Sequence, residues 1–188
     1  MYTDNTLDYT VLEKTSSEAF QALWVELHFE RQKNIICGIT YRQHNSPEYF
    51  QSYFNETAEK YLSLGKPVYI MGDFNIDLLK CEPSNFSLNL LLTLQSCHLT
   101  PTIDKPSRVY NNSATLIDNI LVTDPDQVIS IGNAISDISD HFSQYCILNS
   151  SRLKFEHRNT KFRDYSQFSS DKFNSDLSQI DWNTILKE

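Results

Sequence analysis

Two segments near the start of the chain alternate apolar and polar residues, a pattern typical of half-buried β-strands. The first covers residues 22–30 and the second covers residues 34–41. Because only a short charged link separates them, the two strands are predicted to pair as a hairpin. One face of the first strand carries Leu23, Val25, Leu27 and Phe29.

Apolar residues then recur at helical spacing over residues 47–63. Ser46 stands where an N-cap residue is preferred, and Pro47 follows at the first helical position, where its ring is tolerated. The apolar run 67–71, which ends at Gly72, is typical of a buried strand. The order strand, helix, strand predicts an α/β fold with one mixed sheet.

The remainder of this region predicts one more helix and three more strands. The helix covers residues 84–97 and is followed by an extended stretch at 100–108 that contains two prolines. Strands are predicted at residues 115–122, 128–135 and 142–148. The two helices are expected to flank the sheet.

The composition changes near the end of the chain. We predict that residues 18–150 form the folded domain, that residues 1–17 are a polar N-terminal remnant, and that residues 151–188 are a linker and an amphipathic helical tail. The tail begins with a basic stretch at 152–163 and continues with a helix at 170–182. The basic stretch is either a solvated surface or a contact for nucleic acid.

The charge of the chain restricts its partners. A formal net charge of −8 over 188 residues argues against the broad basic surface of a typical nucleic-acid-binding protein. It leaves open an enzyme that reaches nucleic acid through a bound cation. The longest apolar stretch, residues 88–94, is far shorter than the roughly 18 residues of a membrane helix, and no apolar signal segment is visible. We therefore expect an intracellular protein that contacts no membrane.

The first candidate for chemistry is the run Gly72-Asp73-Phe74-Asn75, directly after a predicted strand. Asp73 and Asn75 are two residues apart and so lie on the same side of an extended chain. They would be delivered to the carboxyl edge of the sheet, where sites of α/β proteins form. The alternative is a plain turn, because glycine, aspartate and asparagine all favour turns.

Three further residues favour a site. Asp118 lies within an otherwise apolar strand, where an unpaired charge would be costly, so a partner is expected. Asp140 and His141 stand side by side just before the last predicted strand. An aspartate that orients a histidine, together with carboxylates that handle water and a cation, is suited to phosphodiester cleavage.

These motifs resemble the endonuclease/exonuclease/phosphatase superfamily, and most closely the endonuclease domain of non-LTR retrotransposons. The similar segments, which together with Tyr41 span about residues 18–150, are Gly72-Asp73-Phe74-Asn75, Ser113-Ala114-Thr115-Leu116-Ile117-Asp118 and Ser139-Asp140-His141. The resemblance implies the two-sheet α/β sandwich of that fold, of which this chain would be the C-terminal part.

The resemblance also implies roles for the residues that handle water and phosphate. Asp73 would help to activate the attacking water. Asn75 would contact the scissile phosphate, and Tyr41 would touch the same phosphate.

The remaining roles concern the histidine and the cation. By the resemblance, Asp118 would orient His141, and His141 would stabilise or protonate the phosphate oxygens. Asp140 would bind the divalent cation, Mg²⁺ or Mn²⁺. The implied activity is that of a metal-dependent DNA endonuclease.

The implied partners follow from the same resemblance. DNA would be the substrate, a reverse transcriptase domain would follow in a full-length element, and the protein would act in the nucleus. Superfamily members also supply an Asn and a Glu from two earlier strands, and neither stands before Tyr41 in a comparable context. The chain is therefore expected to be N-terminally truncated and to cleave weakly.

Two alternatives stay open. The chain could be a non-catalytic remnant that binds nucleic acid or a partner through its tail. It could also be a superfamily phosphatase with a non-nucleic-acid substrate such as a phosphoinositide or sphingomyelin.

Overall fold

A mixed six-stranded sheet is the largest sheet in the described part of the protein. The structure is a computed structural model, which describes residues 2–30, 32–44, 47–80, 86–135, 138–149 and 168–182. The strands of the sheet are β1 Asp8–Ser16, β2 Phe20–His28, β3 Ile35–Arg42, β4 Val68–Asp73, β5 Thr100–Pro101 and β8 Asp118–Val122. They lie in the order β1-β2-β3-β4-β8-β5. The predicted hairpin is confirmed, because β2 and β3 pair antiparallel.

The parallel pair β3 and β4 defines the functional edge of this sheet. Parallel neighbours need a crossover connection, and here helix α1, Pro47–Leu62, supplies it. This confirms the predicted order of strand, helix and strand. Because β3 and β4 run in the same direction, their carboxyl ends lie side by side.

The helical face of the sheet holds the larger core. Helix α1 and helix α2, Phe86–Ser96, pack there against the apolar residues that point from the strands. The buried cluster includes Phe50, Phe54, Ala58, Tyr61, Leu90 and Leu94 from the helices, and Trp24, Ile36, Val68, Ile70 and Leu121 from the sheet. The prediction that both helices pack against a mixed sheet is therefore confirmed, and the two helices lie on the same face.

A separate antiparallel pair packs on the opposite face. Strands β9, Val128–Ala134, and β10, Ser143–Leu148, pair with each other, and Val128, Ile131 and Cys146 are among the side chains that contact the second core cluster. The outward residues of the pair include Ile129, Tyr145 and Ile147, which are exposed.

The predicted strand at 115–122 is wrong in its first part, because residues 116–117 leave the strand conformation and β8 begins only at Asp118. The backbone N–H of Leu116 donates to Asp77 Oδ1, and that of Ile117 donates to Ser107 Oγ, so neither joins a strand ladder. A short hairpin precedes these two residues, formed by β6, Arg108–Tyr110, and β7, Ser113–Thr115.

Residues 1–153 and 154–188 form two separate units. In the second unit, helix α3 covers Ser170–Ser178, and the Ser169 side chain caps it by accepting from the Lys172 N–H at 3.4 Å. The basic stretch 152–163 lies outside the described residues. Among the described helices, none has the length and apolar character needed to cross a membrane.

Candidate active site

The run Gly72-Asp73-Phe74-Asn75 is more than a turn, because its third residue anchors it in the core. The Phe74 ring is buried and lies 6.3 Å, centroid to centroid, from each of the rings of Phe50 and Phe54. Since neighbouring residues of an extended segment point to opposite sides, this anchor directs Asp73 away from the helical core. The run therefore places Asp73 at the sheet edge, although Asn75, with a φ of 49°, is not part of an extended segment.

Gly72 is required where β4 approaches β3. Its φ is 149°, a conformation that residues with a side chain rarely adopt. A Cβ placed on Gly72 would also overlap the carbonyl oxygen of Thr40, its register partner on β3. Only glycine therefore allows Asp73 to follow at this edge.

Asn75 fixes the position of Asp73. It has a φ of 49°, in the left-handed region that asparagine tolerates, and its backbone N–H donates to Asp73 Oδ1 at 2.9 Å. The Asn75 side chain donates from Nδ2 to the Arg42 carbonyl oxygen at 2.6 Å. Arg42, only 4% exposed, donates from Nη2 to the Asn75 carbonyl oxygen at 3.4 Å. The loops after β3 and β4 are thus tied together.

The second half of the site is a carboxylate–imidazole pair. His141 Nδ1 lies 2.9 Å from Asp118 Oδ2, and the two side chains are 33% and 16% exposed. An ionised carboxylate can only accept, so the proton of this bond belongs to Nδ1. The pairing predicted for Asp118 and His141 is present, which accounts for a carboxylate next to the apolar core.

Ser107 holds Asp118 and gave no signal in the sequence. It is 0% exposed, and its Oγ donates to Asp118 Oδ2 at 2.8 Å. The same Oγ accepts from the backbone N–H groups of Ile117 and Asp118. Only the fold could reveal this role, because Ser107 is eleven residues away from Asp118 in the chain.

Backbone pairing brings His141 to Asp118. The chain at residues 140–142 runs antiparallel to β6, with an isolated bridge between Arg108 and His141. Phe142 donates its N–H to the Ser107 carbonyl oxygen at 2.7 Å, and Val109 donates to the Asp140 carbonyl oxygen at 2.9 Å. His141 is therefore held by the same segment that holds Asp118.

Asp73, Asp118 and His141 meet at one point. Asp73 and Asp118 are register partners on β4 and β8, and one ligand atom from each of the three side chains lies within 4.8 Å of the others. Two carboxylates at such a distance suit Mg²⁺, which is usually held by one or two carboxylates together with water and substrate phosphate. The donor set therefore fits the hard cation that the sequence suggested.

Burial raises the pKa of the Asp73 carboxyl above its ordinary value. The neighbouring charge of Asp118 raises the Asp73 pKa further, while the N–H of Asn75 acts in the opposite direction. A carboxylate with a raised pKa is a better proton acceptor than an ordinary one. This electrostatic setting suits Asp73 to a role as a base.

Asp140 and Tyr41 lie at the rim of this cluster. Asp140 Oδ2 accepts from Arg108 Nε at 2.7 Å, and this contact lowers the pKa of Asp140. Asp140 is not in the set of three side chains that could share a cation. Tyr41 is the register partner of Asp73 on β3 and is 45% exposed.

Replacing Asp73 by asparagine is expected to stabilise the fold at pH 7 by about 0.5–2 kcal/mol while removing any role of the carboxylate. Because the folded-state pKa of Asp73 is raised, ionisation of Asp73 costs stability above that pKa. The advantage of Asp73→Asn should therefore vanish as the pH falls below the ordinary range of an aspartate. Urea unfolding of both proteins from pH 3 to pH 8 measures this, with the exposed Asp126→Asn as the control. An advantage that grows toward acid pH would contradict the assignment.

The chain is similar in sequence to a known family and in fold to known structures. The sequence model of the Endonuclease/Exonuclease/phosphatase family matches residues 5–141. The fold is similar to the endonuclease domain of TRAS1, a telomere-specific non-LTR retrotransposon, with 17% sequence identity and a TM-score of 0.60, over 75% of this chain and 66% of that chain. None of the curated proteins matches the chain.

Two bacterial structures are also similar. One is a functionally unknown conserved protein from Enterococcus faecalis, with 17% identity and a TM-score of 0.53 over 77% of this chain and 66% of that chain. The other is an endonuclease/exonuclease/phosphatase family protein from Bacteroides thetaiotaomicron, with 17% identity and a TM-score of 0.52 over 73% and 63%. The chain spans about two thirds of the length of these three structures. At this identity the likeness shows the fold.

Proposed function

Because the chain belongs to the Endonuclease/Exonuclease/phosphatase family, we propose that its site hydrolyses phosphodiester bonds of DNA with a divalent cation, as a retroelement endonuclease does. The observation that carries the proposal is the Asp118–His141 pair with Asp73 beside it. The similarity in fold to a retrotransposon endonuclease domain favours DNA as the substrate.

His141 is placed to act on a phosphate oxygen. Asp118 contacts Nδ1 of the ring, and the bridge to Arg108 fixes the His141 backbone. Nε2 is therefore the ring nitrogen that would contact the substrate. When the imidazole is protonated, Nε2 donates a hydrogen bond to a phosphate oxygen, and the Asp118 carboxylate stabilises the positive ring. His141 would thus stabilise the developing negative charge or protonate a departing oxygen.

Asp73 would take a proton from the attacking water. The Asn75 N–H fixes the position of the Asp73 carboxylate, which suits this step. In this structure the Asn75 side chain donates to Arg42, so its direct effect is on the loop that carries Asp73. The predicted contact of Asn75 with the scissile phosphate remains part of the proposal.

The carboxylates of Asp73 and Asp118 would hold the Mg²⁺ or Mn²⁺ ion. When bound, the cation would offset the negative charge that develops on the phosphate. The two carboxylates are close together before any cation binds, because Asp73 on β4 and Asp118 on β8 are register partners. Ser107 then fixes the direction of the Asp118 carboxylate.

Nicking of supercoiled plasmid tests the proposal, since the assay scores a single break in a whole plasmid and so detects slow cleavage. With protein in excess, we expect relaxed circles to accumulate in Mg²⁺ or Mn²⁺ and none in EDTA. Release of inorganic phosphate from an inositol polyphosphate is measured in parallel.

The two assays separate the alternatives. Phosphate release without nicking would replace the nuclease by a phosphatase. If neither activity is found in protein that circular dichroism shows to be folded, the result would favour a protein that binds without cleaving.

A further inference from the structure

Arg108 lies directly beside the candidate active site. It is the first residue of β6 and forms the isolated antiparallel bridge with His141. Residues opposite each other in an antiparallel pair point to the same face, with Cβ atoms about 5 Å apart. The Arg108 side chain therefore starts next to the imidazole that the proposed reaction uses.

Asp140 holds the Arg108 guanidinium by one of its three nitrogens. Arg108 Nε donates to Asp140 Oδ2 at 2.7 Å, and the two side chains are 39% and 33% exposed. The Tyr110 ring centroid lies 5.7 Å from the guanidinium carbon. Among the residues that the structure describes, no hydrogen-bond acceptor is assigned to the two terminal Nη nitrogens of Arg108. The Nη nitrogens of this partly exposed side chain are the donors suited to bind an oxyanion.

The charge of Arg108 also acts on the cluster. It lowers the pKa of Asp73, against the effect of burial, so the guanidinium is within electrostatic reach of that carboxylate. A phosphodiester that approaches Asp73 and Asp118 meets two negative side chains on a protein of net charge −8. Arg42, a second cation at this edge, is buried and donates to backbone carbonyls. Arg108 is partly exposed and lies beside His141, so among the described residues it is a cation placed to meet the approaching phosphate.

We infer that Arg108 binds a non-bridging phosphate oxygen of the nucleic-acid backbone beside the scissile bond, and that Asp140 is a positioning residue for Arg108. The inference rests on the proposed function, because it names a substrate contact of the same site. It also gives Asp140 a different role from the cation ligand suggested by resemblance. Asp140 Oδ2 already accepts from the Arg108 guanidinium, and Asp140 lies outside the set of three side chains that could share a cation.

Affinity for a short DNA duplex, measured by fluorescence anisotropy in EDTA over a range of salt concentrations, tests the phosphate contact without requiring cleavage. Arg108→Gln is expected to weaken binding about tenfold and to reduce the salt slope by about one. Lys105→Gln removes the same charge from an exposed residue three positions away and should have little effect. In the Asp140→Asn background, the effect of Arg108→Gln should be smaller, because the guanidinium is no longer held.

Mn²⁺ affinity, measured by electron paramagnetic resonance, tests the role of Asp140. Asp118→Asn should lower the affinity at least tenfold, whereas Asp140→Asn should change it by less than about threefold. Equal losses in both variants would overturn the positioning role. Equal DNA affinities of Arg108→Gln and Lys105→Gln would overturn the phosphate contact. Binding that depends on Arg108 in a protein that nicks no DNA would remove the nuclease proposal and leave the phosphate contact standing.

Discussion

Replacing His141 by alanine is expected to reduce plasmid nicking to the level of the EDTA control. In the proposed mechanism the imidazole, which Asp118 orients, acts on the substrate, and loss of one such electrostatic element commonly lowers a rate by about 10²–10³. Asp118→Asn should cause a comparable loss, because it removes the partner that fixes Nδ1. The double variant should be little worse than either single variant, since residues that act as one unit are not additive. Initial rates in Mg²⁺ at constant protein concentration measure all three.

His98→Ala is the matched control for the histidine. His98 is exposed and follows α2, near the end of β8 that lies away from Asp118. Its loss should leave nicking unchanged. Wild-type rates in His141→Ala, in protein free of contaminating nuclease, would rule out the role proposed for the pair.

Replacing Gly72 by alanine is expected to destabilise the protein by about 3–5 kcal/mol, one of the largest effects that a single methyl group can have here. Two costs add at this position, a strained φ and the overlap of the new Cβ with the Thr40 carbonyl oxygen. The midpoint of urea unfolding, together with an unchanged slope, measures the loss.

Gly65→Ala separates those two costs. Gly65 also has a positive φ, of 64°, but a Cβ placed there meets no atom within 4 Å. Its replacement should cost only about 1 kcal/mol, from backbone strain alone. Similar losses at both positions would show that β3 and β4 can separate at Thr40 without penalty, and that the close approach is not what requires glycine at Gly72.

Periodicity located β2 and α1 within two residues of their observed bounds. The prediction that β2 is half-buried is wrong, because Trp24 lies in the core on the helical face and Val25 lies in the second cluster on the opposite face. Strand β1 was not predicted, because most of its residues are exposed and its sequence is polar. An edge strand of this kind is specified by its pairing partner, here β2, and not by its own hydrophobic pattern.

The sequence identified some residues of the candidate site and missed others. Asp73, Asn75, Asp118 and His141 were identified by their types, their positions at strand ends and their resemblance to a known family, and the fold brings them together. Ser107 and Arg108 were not, because serine and arginine are common and neither has a distinctive neighbour in the sequence. Their importance comes from the pairing of residues 107–109 with residues 140–142.

There is a physical reason why the sequence identified some of these residues and only the fold revealed the others. The amino-acid sequence carries whatever depends on one segment, such as the spacing of apolar residues, the glycine before Asp73 and the presence of a carboxylate in an apolar run. Which carboxylate faces which cation depends on contacts between segments far apart in the chain. Asp140 illustrates this, since resemblance to a known family implied a metal ligand, while the fold sets its Oδ2 2.7 Å from Nε of Arg108. Long-range pairing, which brings residues 32 positions apart into contact, decides the partner of that charge.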